Sequence, residues 1–250
     1  MTWLDPMRRA LDARTEPLTV FFRDDDAGWA DDRLLALLGR FGEAGLPLDL
    51  AVIPAAITMA LALRLRHRAT SHPARVGLHQ HGWVHQNHEP AGRRSEFGPS
   101  RPAEAQRLDI ETGRRRLEQL FGAALSPIFT PPWNRCTRAT GEGLVEAGIQ
   151  VLSCDVTAPR LALPALQELP VRIDWQRRRR PELPFAAERG AALAAAASEG
   201  GPVGVMLHHA VMDRDDDRQL EELLLLLARH PAVRCRTMSA VAGVPAESVA

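Results

Sequence analysis

The 250-residue chain carries 31 basic and 31 acidic side chains, with 25% of its residues charged and 45% hydrophobic. That length and composition suit one globular domain over residues 1–250 with a substantial core, since α/β barrels often use such a length as one unit. A formally neutral chain has no basic excess with which to hold a phosphate backbone, so nucleic acid is excluded as the expected partner.

The N-terminal residues Met1-Thr-Trp-Leu-Asp-Pro-Met-Arg-Arg lack the basic start, apolar stretch and small-residue cleavage site of an export signal. No apolar run approaches the roughly 18–20 residues of a transmembrane helix; the run at 223–227 is bounded by Glu221 and Glu222 on one side and Arg229 on the other. Cys136, Cys154 and Cys235 are odd in number and lack Cys-x-x-Cys spacing, which predicts neither a disulfide framework nor a thiolate zinc site. The expected location is the cytoplasm.

In chain order, a strand is expected at 18–22 and a helix at 30–44, the latter with Leu34, Leu35, Leu37 and Leu38 on its apolar face. Further strands are expected at 47–53, 75–78, 127–129, 149–154, 169–173 and 203–207, and helices at about 56–67, 103–122, 137–147, 185–199 and 215–230. A short strand at 233–236 and a small helix capped by Thr237 or Ser239 close the chain. Segments 86–102 and 176–184, the second holding the arginine run 177–180, read as exposed loops. Short apolar runs alternating with longer helical stretches predict a parallel sheet or barrel clothed in helices.

The apolar runs end in residues that bind metals or move protons. The first runs into Arg23-Asp-Asp-Asp26, the third into a histidine cluster, the fourth into Thr130-Pro-Pro-Trp133, the next into Asp155, and 203–207 into His208-His209. In parallel barrels the C-terminal strand ends converge on one face, so separate motifs meet at one site. Four of nine histidines fall between residues 79 and 88: His79, His81, His85 and His88. His81 and His85 are four apart, and a tight turn brings both imidazoles to one cation such as Zn²⁺. Three consecutive carboxylates repel one another and are poor strand formers, so one of Asp24–Asp26 is a natural third ligand. Three protein ligands leave a position for water, the arrangement of a catalytic zinc site.

These residues resemble the polysaccharide deacetylase superfamily, the NodB-homology family. Its Thr-Phe-Asp-Asp-Gly motif is similar to Phe22-Arg-Asp-Asp-Asp-Ala-Gly28, with Asp25 and Asp26 as the pair; a register one residue earlier pairs Asp24 with Asp25. His-x-x-x-His matches His81-Gly-Trp-Val-His85, and the late Leu-x-Leu-His motif resembles Val205-Met-Leu-His208. The Arg-x-Pro-aromatic motif is met only in part by Thr130-Pro-Pro-Trp133: Thr130 stands in the place of the arginine that orients the catalytic aspartate, leaving Arg23, Arg135 and Arg172 as candidates to replace it. For the Asp…Trp motif, Asp155 and Asp174-Trp175 both remain candidates.

The resemblance implies a distorted (β/α) barrel of about seven parallel strands and a metal-dependent hydrolase that removes an N-acetyl group from a carbohydrate or glycan precursor. It implies one divalent ion, Zn²⁺ before Co²⁺ or Mn²⁺, on Asp26, His81 and His85; Asp25 as base; His208 as acid; and Pro132, Trp133 and Asp155 as substrate contacts. Trp83 also reads as a sugar-stacking candidate, His209 as structural, and His79 and His88 as exposed loop residues. The alternatives are a hydrolase of another small amide on the same fold, or an inactive carbohydrate-binding protein.

Overall fold

The computed structural model describes residues 2–177 and 184–244. The chain runs α1 (Asp5–Asp12), β1 (Leu18–Ala27), α2 (Asp31–Ala44), β2 (Leu48–Val52), α3 (Met59–Ser71), β3 (Val76–His81), α4 (Ala103–Phe121), β4 (Leu125–Thr130), α5 (Arg138–Glu146), β5 (Val151–Leu152), β6 (Gln167–Glu168) and β7 (Ile173–Asp174). It continues with α6 (Phe185–Glu199), β8 (Val203–Leu207), α7 (Arg214–Arg229), β9 (Val233–Cys235) and α8 (Met238–Ala242). Every strand pairing is parallel, in the order β6-β5-β4-β3-β2-β1-β8-β7, with β9 on the first residues of β1.

That order closes on itself, because β6 and β7 are two ends of one extended segment. Leu169 N–H donates to Leu152 O (2.9 Å) and Val171 N–H to Cys154 O (2.8 Å) on the β5 side. From the next residue the bonding switches sides: Arg172 N–H donates to Gly204 O and Trp175 N–H to Met206 O, both at 2.9 Å. Counting that segment once, the closed sheet has seven staves, the distorted barrel expected above.

The period of two along a strand sorts the side chains of β1. Val20 and Phe22 join the large apolar layer between barrel and helices, with Leu34, Leu38 and Phe41 of α2 and the leucines of α7. Phe21 instead packs with Ile128, Val151, Leu169, Val171, Met206 and Met238 in a separate interior cluster. Helix starts follow their caps: Asp213 begins α7 with a capping box to Asp216, and Thr137 begins α5 with one to Thr140. Helix α1, which the strand-and-helix pattern above leaves out, buries Met7 and Leu11.

Two loop expectations change. Segment 86–102 is irregular as expected, yet Ser95, Glu96 and Phe97 within it are buried rather than exposed. Of the arginine-rich loop at 176–184, residues 178–183 lie outside the described residues. No helix among the described residues is long and apolar enough to cross a membrane.

Candidate metal centre

The alternation of β1 also carries its polar end. Arg23 and Asp25, two residues apart, share a face, and the Arg23 guanidinium grips the Asp25 carboxylate with two bonds, Nε to Oδ1 at 2.8 Å and Nη2 to Oδ2 at 2.9 Å. Arg23 is fully buried. Its remaining donors reach Ser153 O (2.9 Å) and Oγ (2.8 Å) beyond β5 and Asn134 Oδ1 (2.7 Å) beyond β4. A fork-to-fork pair of this kind is the strongest ordinary carboxylate clamp. Among the three arginines proposed to replace the one missing at Thr130, Arg23 is the one that meets Asp25; Arg172 bonds Glu199 and helix carbonyls, and Arg135 bonds Arg94 O.

Strict alternation would turn Asp26 away from Asp25's face, but Asp26 has φ 70° and breaks the pattern. Asp26 Oδ1 lies 3.2 Å from His81 Nε2 and 3.2 Å from His85 Nε2. One ligand atom from each of these three residues lies within 4.8 Å of the others, a donor set of one carboxylate and two imidazoles. His81 Nδ1–H donates to Thr130 O at 2.9 Å, which fixes the ring with Nε2 as the nitrogen directed at Asp26 and available to a cation once its proton is displaced. The residues therefore fit a zinc-type ion. Burial raises the Asp26 carboxyl, but bonds from His81 and His85 outweigh it and hold it below the usual range.

The turn between His81 and His85 is shaped by a residue that the motif does not mark. Buried Glu96 accepts Val84 N–H at 2.8 Å and Trp83 N–H at 3.3 Å. Gly82 has φ 57°, and a Cβ there would collide with the Glu96 carboxylate and the Pro132 ring. Among the described residues, the non-glycine residues at positive φ other than Ala162 cluster at this site: Asp26, Ala30, His85, Trp133 and Asn134. Such backbone strain persists where surrounding structure over-determines it, and it concentrates at functional sites.

His208, partly exposed, brings Nε2 to 4.0 Å from Asp25 Oδ2. His209 points elsewhere. Its backbone N–H and Nδ1 bond the two oxygens of buried Asp24, at 3.0 and 2.7 Å, and Nε2 bonds Trp29 O at 2.7 Å. Burial opposes charge on this ring, but Asp24 outweighs it and pushes the imidazole up to about 9. Asp24 is thus occupied by His209, while Asp26 belongs to the ligand trio and Asp25 lies between Arg23 and His208; the later of the two registers is the one with both carboxylates at the site.

Pro132 is buried against Gly82, and the half-buried Trp133 ring packs 4.5 Å from His85. Trp29 meets the His85 ring edge-on at 4.8 Å. Asp155 and Asp174 each cap a local turn, through Thr157 and Gln176 respectively. The contribution from the end of β5 to the Arg23 cradle is Ser153. His79 is a correction: it belongs to β3, fully buried, with Nε2 3.0 Å from Thr130 Oγ1. Burial, with the nearby Arg23 charge, pushes its ring down to about 3. His88 remains in the irregular loop.

No family model matches this chain, and no curated protein matches it. Solved structures do. The chain is similar to a Mycobacterium smegmatis protein assigned as a polysaccharide deacetylase, at 17% identity over 94% of each chain with TM-score 0.69. It is similar to a family 4 acetyl xylan esterase from Clostridium thermocellum, solved with a cobalt ion, at 13% identity over 91% of this chain and 94% of that one, TM-score 0.55. A third, a mutant with restored activity of the family 4 pseudoenzyme BA3943, matches at 11% identity over 91% of this chain and 68% of that one, TM-score 0.57. The fold is that of the polysaccharide deacetylases, as the motif resemblance implied. The third is a pseudoenzyme whose activity was restored by mutation, so this fold does not by itself carry activity.

Proposed function

We propose that this protein is a metal-dependent deacetylase, hydrolysing the N-acetyl group of a carbohydrate or glycan precursor. The observation that carries the reading is one juxtaposition: a three-ligand cluster of Asp26, His81 and His85 beside an aspartate clamped by Arg23, with His208 4.0 Å from that aspartate. A chain with the fold alone would need no such convergence of carboxylates, imidazoles and a buried guanidinium, groups that are costly to desolvate unless paired.

Asp26, His81 and His85 would hold the ion, which supplies Lewis-acid activation of water and of the amide carbonyl when bound. Asp25 accepts the proton of the attacking water. Burial raises its carboxyl, but Arg23 outweighs this and, helped by His81 and His208, holds it below the usual range, so it is ionised and free to accept. Arg23 also fixes the direction of both carboxylate oxygens. His208 donates a proton to the departing amine, and a backbone N–H near Trp133 steadies the oxyanion. The products are acetate and a free amine. Pro132, Trp133 and Asp155 are assigned to substrate contact.

The test is metal content with acetate release. Purified protein should hold one Zn²⁺ per chain, with Co²⁺ or Mn²⁺ as substitutes, and should release acetate from N-acetylated oligosaccharides or sugar precursors. Asp26→Ala and His85→Ala should lose the metal, while Asp25→Asn keeps it and loses about 10²–10⁴ in turnover, the usual worth of a general base. Absence of stoichiometric metal together with no acetate from any N-acetylated sugar overturns the reading. Turnover of small non-sugar amides alone would move the protein to the small-amide reading on the same fold.

A further inference from the structure

We propose that Trp29 is a substrate-positioning residue: its exposed ring is the platform on which a pyranose carrying the amide stacks beside the metal cluster. This rests on the deacetylase reading for the amide but not for the sugar.

Trp29 lies 40% exposed, and among the described residues it is the aromatic side chain left most open to solvent. A single exposed apolar residue means little by itself. What distinguishes Trp29 is that both ends of its peptide are fixed. Its N–H donates to Asp26 O at 3.1 Å, and its carbonyl accepts from His209 Nε2 at 2.7 Å. His209 is itself locked to buried Asp24. The next residue, Ala30, takes φ 48°, so the chain turns sharply into α2 directly after the tryptophan.

A buried, hydrogen-bonded pair thus holds the backbone of an exposed ring. The ring touches His85, a member of the ligand trio, edge-on at 4.8 Å. On the same rim, Arg33 of α2 donates to Ala210 O, which ties the turn after His208 to this helix, and that turn exposes the apolar Val211. Beside His85 the structure thus presents one exposed aromatic ring whose backbone is held at both its N–H and its carbonyl. A flat apolar ring held in advance captures the C–H face of a sugar with little ordering cost, whereas a small acyclic amide leaves it unused. Trp133, on another side of His85, is half-buried and offers less free face.

The competing role for Trp29 is to shield His85 and hold its orientation. The two roles separate in one experiment on the zinc-loaded full chain. Binding of N-acetylchitotetraose is measured by calorimetry for wild type, Trp29→Phe and Trp29→Ala, with zinc content by mass spectrometry and KM and kcat for acetate release. Stacking predicts that Trp29→Ala weakens tetrasaccharide binding about tenfold, the size of one aromatic contact, with zinc content retained. It also predicts that the loss falls on KM rather than kcat, and that Trp29→Phe recovers most of the binding. Tetrasaccharide affinity unchanged in Trp29→Ala, or falling only in step with lost zinc, overturns the proposal, as does a wild type that does not bind the sugar. Trp29-dependent binding without acetate release would leave the platform standing and defeat the deacetylase reading instead.

Discussion

Asp25 and Asp49 stand on adjacent strands of one barrel, both buried, and their surroundings drive them in opposite directions. Burial raises each carboxyl. At the C-terminal end of β1, the bidentate Arg23 guanidinium outweighs burial and keeps Asp25 ionised. Near the start of β2, Asp49 has one partner, Met238 N–H at 2.8 Å, and no hydrogen bond to Oδ1 among the described residues; burial dominates and pushes it up to about 7. A carboxylate inside a protein is therefore informative only with its counter-charge: the compensated one sits at the candidate site, and the uncompensated one seats α8 against the barrel interior.

The sharpest way to break this comparison is to remove the compensation. Arg23→Met leaves Asp25 buried without its bidentate partner and should cost about 3–5 kcal/mol in urea unfolding of chelated protein. Arg23→Met with Asp25→Asn removes the charge as well and should recover at least half of that loss. If the double variant is no more stable than the single one, Arg23 acts through Ser153 and Asn134 rather than through Asp25.

The next effect is at Asp49, where the sign follows from the direction of the shift. The unfolded carboxyl ionises near 3.9, while the folded one keeps its proton to about 7. Between those values the unfolded state binds fewer protons, so stability falls as pH rises from about 4 to 7 and then levels off. The contribution is up to about 4 kcal/mol, from roughly three pH units at 1.36 kcal/mol each. Asp49→Asn keeps an acceptor for Met238 N–H and cannot ionise, so its stability should lack this slope and exceed wild type at pH 8. Parallel pH–stability curves for the two proteins would show that Asp49 does not titrate in this window.

Much of this architecture was legible in the sequence because it is written in local patterns. Apolar runs and helical stripes placed the staves within a few residues, and helix 185–199 matches α6 at both ends. His81 and His85 stood out through clustering, and the aspartate run through its poor fit to a strand. The role of Arg23 had a local signal too, since a strand puts residues 23 and 25 on one face. Ser153, Asn134 and Glu96 had none, because each meets its partner only after segments distant in sequence have been brought together. Helix α1 was missed because its signal is short, essentially Leu4, Met7 and Leu11 at helical spacing. His79 was misplaced because four histidines in ten residues suggested a polar loop, whereas β3 runs on to His81 and alternation carries His79 into the barrel.

His79 also supplies the smallest test, and it extends the comparison from acids to bases. This ring has Thr130 Oγ1 as its neighbour, no carboxylate bonded to it among the described residues, and Arg23 close enough to oppose a second positive charge, so burial wins and holds it neutral down to about pH 3. An unfolded histidine protonates near 6.5, so between 6.5 and 3 the unfolded state binds the extra proton and stability is lost as pH falls. At pH 5 the loss is about 2 kcal/mol, roughly one and a half pH units at 1.36 kcal/mol each. His79→Gln cannot titrate, and in chelated protein the wild-type-minus-variant stability difference should shrink by about that amount between pH 7 and pH 5. The contrast with His209 is the decisive control. Held by Asp24 and pushed up to about 9, it contributes stability fully present below about 6.5 and lost as pH rises through 9, the opposite slope from the same side chain. If His79→Gln and His209→Gln altered the pH profile with the same sign, counter-charge would not be what distinguishes the buried groups of this barrel.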